Sequence, residues 1–227
     1  MISYTIYEQR EYKCAYASEH NKNYQYNITI GMKVVDISRI GAFAAMNIAA
    51  KALAQGKVLV CPTDTIYGFI ADATNAKAVE KIFRIKHRRK EKPLGIFVKD
   101  LVRAKKFAKV TKTQEVFLKK VWPGKVTVVL QMKKRFPKGV GIRKTIGIRV
   151  PKYHFLDLLF KKFNHALAQT SVNISDTPPL KRVKDMVRVF GRRKWKPDLI
   201  FDAGKLPSSR PSKVIDMTTE KRNIIRK

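Results

Sequence analysis

Residues 57–94 constrain this chain more than any other stretch. They read KVLVCPTDTIYGFIADATNAKAVEKIFRIKHRRKEKPL. Residues 58–61 form a short apolar run with two β-branched valines, which predicts a buried strand. Pro62 has no N–H to give a ladder, so the strand ends there. The chain then turns polar over Thr63, Asp64, Thr65 and Tyr67 before Gly68. In open α/β sheets, ligands sit just beyond the carboxyl ends of strands, where these hydroxyls fall. Asn75 is placed to cap a helix whose buried face is Val79, Ile82 and Phe83. That helix runs into Ile85-Lys86-His87-Arg88-Arg89-Lys90. One unit thus supplies hydroxyls above a strand and cations at a helix end.

The rest of the chain alternates in the same way. Helices are predicted over 40–55 with a stop at Gly56, over 111–121 with a break at Trp122-Pro123-Gly124, over 155–163, and within the basic segment 181–196. Strands are predicted over 94–98, 126–130, 146–150, 166–171, 199–202, 214–217 and 223–225. This alternation predicts one α/β domain with a twisted mixed β-sheet flanked by helices. Residues 1–33 are rich in Tyr, Asn, Glu and Lys. They read either as an extra hairpin, since 24–30 alternates, or as a loosely attached extension. The second reading is preferred, which places the domain proper at 34–227.

Charge narrows the partners. The chain carries 49 lysines and arginines against 17 acids, a formal charge of +32. Such an excess predicts a polyanionic partner, RNA first and an acidic membrane surface second. The two cysteines, Cys14 and Cys61, make no framework, and no Cys or His spacing suits a metal site. No apolar run reaches the length of a membrane span, and a cytoplasmic location is expected.

Three constellations could carry chemistry: Thr63, Asp64, Thr65 and Tyr67; Lys86 and Arg88; and Ser171 with Asn173 after a later strand. Arg149 before a proline and Ser212 before a strand are weaker additions. No nucleophile–base pair and no phosphate-binding P-loop is present. Hydroxyls, an amide and fixed cations suit polyphosphate binding and transfer at phosphorus, which proceeds by positioning and electrostatics. Each group also has a plainer reading. Lys86 and Arg88 read as solvated basic surface, Ser171 and Asn173 as turn caps, Thr63 and Asp64 as helix caps, and Tyr67 as a core aromatic.

Their order along the chain is more specific than any one of them. PTDTIYG at 62–68, DATN at 72–75, Lys86-x-Arg88 followed by KPL, Ser171-x-Asn173 and PSKVID at 211–216 resemble the threonylcarbamoyl-AMP synthase (YrdC-like) family. The resemblance covers about residues 37–227 and implies a YrdC-like fold with a basic concave face. It implies an L-threonylcarbamoyladenylate synthase, a nucleotidyltransferase acting on L-threonine, bicarbonate and ATP. The adenylate passes to threonylcarbamoyl-transferase machinery that modifies adenosine 37 of tRNA. Two anions must meet in that reaction, so Lys86 and Arg88 are expected to be the catalytic cations. By the resemblance itself, Lys86, Arg88, Ser171, Asn173, Arg149 and Ser212 line the nucleotide, and Thr63, Thr65 and Tyr67 lie near threonine. Mg2+ is implied as a companion of ATP, held by phosphate oxygens and water rather than by a protein cluster.

Lys125, Asp176 and Lys213 depart from the family's usual proline, glycine and threonine. The chain ends where some members continue, so no second domain is expected. Two other readings remain: a non-catalytic binding module of the same fold for tRNA or double-stranded RNA, and a carbamoyl-handling enzyme of hydrogenase maturation. The second carries zinc-binding and acylphosphatase-like regions that this sequence does not show.

Overall fold

The computed structural model describes residues 14–16, 25–29, 32–219 and 222–226. The site is held by a mixed sheet whose centre is built from β4 (Leu59–Cys61), β5 (Gly68–Asp72), β6 (Gly95–Phe97) and β9 (Leu167–Ser171). β5 pairs antiparallel with β4 on one side and with β9 on the other, so Gly68 stands opposite both Cys61 and Ser171. β6 pairs antiparallel with β9, and β8 (Thr145–Arg149) lies parallel to β6. β7 (Val126–Gln131) is antiparallel to β8, β11 (Lys213–Asp216) parallel to β7, and β12 (Asn223–Arg226) antiparallel to β11. On the far side of β4 follow β10 (Leu199–Asp202) and β3 (Met32–Asp36), both parallel, then β2 (Gln25–Thr29) and β1 (Cys14–Tyr16), each antiparallel to its neighbour.

Both faces of the central strands are covered. Phe69 and Ala71 of β5 pack in one core with Val79, Ile82 and Phe83 of α3 (Ala76–Lys86). Ile70, between them in sequence, packs in the other core with Leu53 of α2 (Ala42–Ala54) and Phe155 and Leu159 of α6 (His154–Lys162). Period-two geometry sends successive side chains to opposite faces, so strands buried on both sides read as unbroken apolar runs.

The single α/β domain with a mixed sheet and flanking helices is as the sequence predicts. Several elements are additions. β5 falls in a stretch that reads in sequence as loop and helix approach. Short α1 (Ile37–Ile40) and α4 (Leu101–Phe107) are likewise beyond what the sequence predicts. The remaining helices, α5 (Lys112–Val121) and α7 (Val183–Phe190), fall inside the predicted spans. At the N-terminus, β2 hydrogen-bonds to β3, and β3 runs through the position where the sequence places the start of the domain. Residues 1–13, 17–24 and 30–31 of the proposed extension lie outside the described residues.

Helix α3 is positioned at both ends. The Asn75 side chain accepts from the backbone N–H of Ala78 at 3.0 Å, and His87 ends the helix in the left-handed region at φ 51°. Gly139 braces its flank. At φ 102° it offers its carbonyl to Leu94 N at 2.7 Å. A Cβ there would meet the Phe83 ring at 2.5 Å. Gly139→Ala is therefore expected to lower the unfolding free energy by about 2–4 kcal/mol, from left-handed strain and overpacking together. Urea unfolding followed by circular dichroism measures it.

Candidate active site

The last residue of α3 is Lys86, and its side chain is almost wholly buried, with 1% exposed. Its Nζ donates to Ser171 O at 2.6 Å, Asn173 O at 2.9 Å and Asn173 Oδ1 at 2.6 Å. Three acceptors match the three N–H bonds of an ammonium. The loop is tied in return. Ser171 Oγ donates to Asn173 Oδ1 at 2.7 Å, Asn173 Nδ2 donates to Thr177 O at 2.6 Å, and Ser175 N donates to Lys86 O at 2.8 Å. Burial, with the nearby Arg88 guanidinium adding to it, pushes the Lys86 pKa down to about 7.

Arg88 is half-buried. Its Nε donates to Lys92 O at 2.6 Å and its Nη2 to Pro93 O at 3.2 Å. Burial lowers its pKa and the Asp176 carboxylate offsets part of that. Asp176 sits at φ 66°, in the left-handed region that suits the glycine expected here from the resemblance and that Asp tolerates. The substitution adds an ion pair to Lys92.

The hydroxyl-rich loop between β4 and β5 folds on itself. Thr63 Oγ1 accepts from the backbone N–H groups of Thr65 at 3.1 Å and Ile66 at 3.2 Å, and it lies 3.0 Å from Thr65 Oγ1. Arg149, at the end of β8, reaches this loop. Its Nη1 donates to Thr65 Oγ1 at 3.2 Å, its Nε to Gly124 O at 2.9 Å, and its Nη2 pairs with the Asp64 carboxylate. The side chains of Arg149 and Asp64 are only 3% and 7% exposed. Burial lowers the Arg149 pKa, and Asp64 opposes that shift. Asp64 also accepts from Lys152 N at 3.2 Å.

These groups fall into two clusters on one scaffold. Lys86, Ser171 and Asn173 form the first. Thr63, Asp64, Thr65 and Arg149 form the second. They join where Val172 N donates to Tyr67 O at 3.3 Å and Gly68 pairs with Ser171. Two expected residues have different surroundings. The Tyr67 hydroxyl donates to Gly204 O at 2.7 Å and accepts from Ala203 N at 2.9 Å, and burial raises its pKa. Tyr67 thus fastens the loop to the segment after β10. Ser212 Oγ lies 2.9 Å from Thr127 Oγ1, and Arg226 Nη2 donates to it at 3.1 Å. It borders the Arg149 end of the site, since Lys213 N donates to Lys125 O beside Gly124, and Arg226 contributes to lowering the Arg149 pKa. In sequence Asp64 has no assigned ligand and reads most plainly as a cap. Its place inside the same PTDT run is the available signal for its role here. Among the described residues no group of three or more His, Cys, Asp or Glu stands together as metal ligands.

The Sua5/YciO/YrdC family model, described as telomere recombination, matches residues 51–227. The chain belongs to this family. As a Sua5/YciO/YrdC protein it is 31% identical over 191 residues to a protein of Methanocaldococcus jannaschii, covering 84% of this chain and 88% of the other. It is 30% identical over 175 residues to the threonylcarbamoyl-AMP synthase of Pyrococcus abyssi, covering 76% of this chain but only 51% of that protein. Its fold superposes on P. abyssi Sua5 complexed with L-threonine with a TM-score of 0.77 at 28% identity, covering 85% of this chain and 56% of that one. Against Escherichia coli YciO the TM-score is 0.73 at 25% identity, with 82% and 89% covered.

The buried Arg149–Asp64 pair gives a stability prediction. Asp64→Ala leaves a guanidinium buried without its partner, at a cost of about 3–5 kcal/mol. Equilibrium urea unfolding of the variant reads that loss directly.

Proposed function

We propose that this Sua5/YciO/YrdC protein is an L-threonylcarbamoyladenylate synthase, a nucleotidyltransferase. The observation that carries this reading is the pair of buried cations, Lys86 fixed to the 171–173 loop and Arg149 to the 63–65 loop, on segments that adjoin where Gly68 pairs with Ser171. The names of its relatives agree with it.

In this reaction the amine of threonine adds to the carbon of bicarbonate, water leaves, and a carbamate forms. A carbamate oxygen then attacks the α-phosphorus of ATP. The bond to the β-phosphate oxygen breaks and pyrophosphate departs. Two anions must approach, so fixed positive charge is the main requirement. Lys86 supplies it from within the 171–173 loop. Its three N–H bonds are already used, so in this arrangement it acts by charge and by setting the loop, with Ser171 and Asn173 beside the nucleotide. Arg88 supplies a second charge at the rim. Arg149, held by Asp64, sets Thr65, and Thr63 and Thr65 face threonine. Tyr67 supports that loop through its backbone tie rather than through an open hydroxyl. Ser212 borders the nucleotide side. Mg2+ enters with ATP as part of the substrate. The adenylate is then spent by threonylcarbamoyl-transferase machinery on adenosine 37 of tRNA, in the cytoplasm.

The test is pyrophosphate release from MgATP by the full chain. It is expected only when L-threonine and bicarbonate are both present. A module that binds RNA without catalysis releases none, and pyrophosphate release indifferent to threonine contradicts the reading.

A second prediction follows from Lys86. Its pKa is lowered from 10.5 to about 7, so the free protein carries the ammonium below that pH and loses it above. Affinity for MgATP should fall on the order of tenfold between pH 7 and pH 9, as the charge is lost. In Lys86→Met, affinity should be low throughout and the slope absent. Isothermal titration across pH at constant salt separates the two.

A further inference from the structure

A cleft of about 370 Å³ lies away from the site just described, lined by Lys105, Ala108, Lys109, Val110 and Lys133. It forms where the chain leaving α4 joins the end of β7. Lys109 N donates to Gln131 O at 2.8 Å, and Lys133 N donates to Phe107 O at 2.7 Å. The candidate active site abuts the opposite end of β7, where Val126 pairs with Lys213 beside Ser212. Five residues of strand, about 17 Å, separate the two.

Two segments at this end of the molecule are charged in one sense only. Residues 101–114 and 131–145 together hold eleven lysines and arginines and no acid. Of the acids near this end, Glu115 pairs with Lys105 and Lys119, and Asp216, beside Val129 of β7, accepts from Thr218 N at 2.8 Å. Among the described residues Lys109, Lys133, Lys134, Arg143 and Lys144 are exposed and stand in no ion pair.

The turn next to the cleft carries a second, independent sign. Ile142 and Thr145 exchange both backbone hydrogen bonds, at 2.9 and 2.8 Å, around Arg143 and Lys144. Both central residues have positive φ, 47° and 63°. That is a type I′ turn, which Asn-Gly fills without strain and long side chains do not. Lys144 O accepts from Met132 N at 2.7 Å, which ties the turn to the cleft wall. The chain thus keeps two cations where backbone preference asks for none. Strain held at an exposed charged position points to a use for the charge.

We propose that this cleft and its Arg143-Lys144 turn form a docking surface for the phosphodiester backbone of RNA, separate from the nucleotide site. RNA is the polyanion chosen because the proposed product is spent on tRNA, and to that extent the inference rests on the proposed function. The surface offers point charges spread over a strand end, a helix end and a turn, the arrangement that neutralises successive phosphates. A membrane-surface site needs a broad apolar face beside its cations. Here the exposed large apolar side chains stand on separate elements, Ile142 on the turn, Val102 on α4 and Val116 on α5.

Two variants of the full chain test it. In the first, Lys109→Glu, Lys133→Glu and Arg143→Glu reverse charge around the cleft. In the second, Arg143→Asn with Lys144→Gly gives the turn its preferred residues. Binding to a labelled tRNA-sized RNA hairpin is measured from 50 to 300 mM salt, with duplex DNA and phosphatidylserine vesicles as parallel arms. The first variant should weaken RNA binding at least tenfold and flatten the salt slope by about one for each phosphate that is no longer neutralised. The second should weaken RNA binding several-fold while its melting temperature rises by about 2–4 °C. Pyrophosphate release should be unchanged in both, which keeps this test apart from that of the enzymatic reading. RNA affinity equal to the parent in both variants overturns the proposal. So does an effect of the variants on vesicle or DNA binding that leaves RNA binding intact.

Discussion

An ammonium without water around it must find oxygen, and the structure depends on where Lys86 finds it. Its three donors end on Ser171 O, Asn173 O and Asn173 Oδ1. They fasten the end of α3 to the loop after β9, 85 and 87 residues away in the chain. A buried cation is costly unless paired and hydrogen-bonded. Here neutral dipoles do the pairing, and among the described residues no carboxylate forms an ion pair with it. The positive potential therefore remains available to an incoming anion.

The second buried cation is handled differently. Arg149 meets a carboxylate, Asp64, which removes most of its net charge and turns it into a brace. The planar guanidinium donates in three directions: to Gly124 O, to Thr65 Oγ1 and to Asp64. Lys86 thus serves as charge and Arg149 as geometry, although both are buried basic residues, one at a helix end and one at a strand end. The sheet makes the division. Arg149 stands opposite Phe97 in β6, whereas Ser171 stands opposite Gly68 in β5. The loop between β4 and β5 is the chain that reaches both.

Much of this is legible in the sequence because it is local. The strand before Pro62, the Asn75 cap and the apolar face of α3 follow from residues within one turn or one strand of each other. β5 is hidden because Phe69, Ile70 and Ala71 are buried on both faces and show no alternation between Gly68 and Asp72. The pairing of Asp64 with Arg149 spans 85 residues, and no periodicity records such a contact. Tyr67 shows the same limit. Its place in the PTDTIYG run suggests a substrate hydroxyl, but its oxygen is committed to backbone groups 136 and 137 residues on. Asp176 is legible only in retrospect, since its left-handed backbone explains the glycine it replaces.

The central claim is that Lys86 and Asn173 act on the nucleotide as one unit. A double-mutant cycle in MgATP binding tests it most directly, with Lys86→Met, Asn173→Ala and the pair measured by titration calorimetry at pH 6.5. Residues that share one hydrogen-bonded network couple by about 0.5–3 kcal/mol. Each single variant should weaken binding markedly, and the double variant should be hardly weaker than the worse single one. Fully additive losses, or an Asn173→Ala protein that binds like the parent, would contradict it.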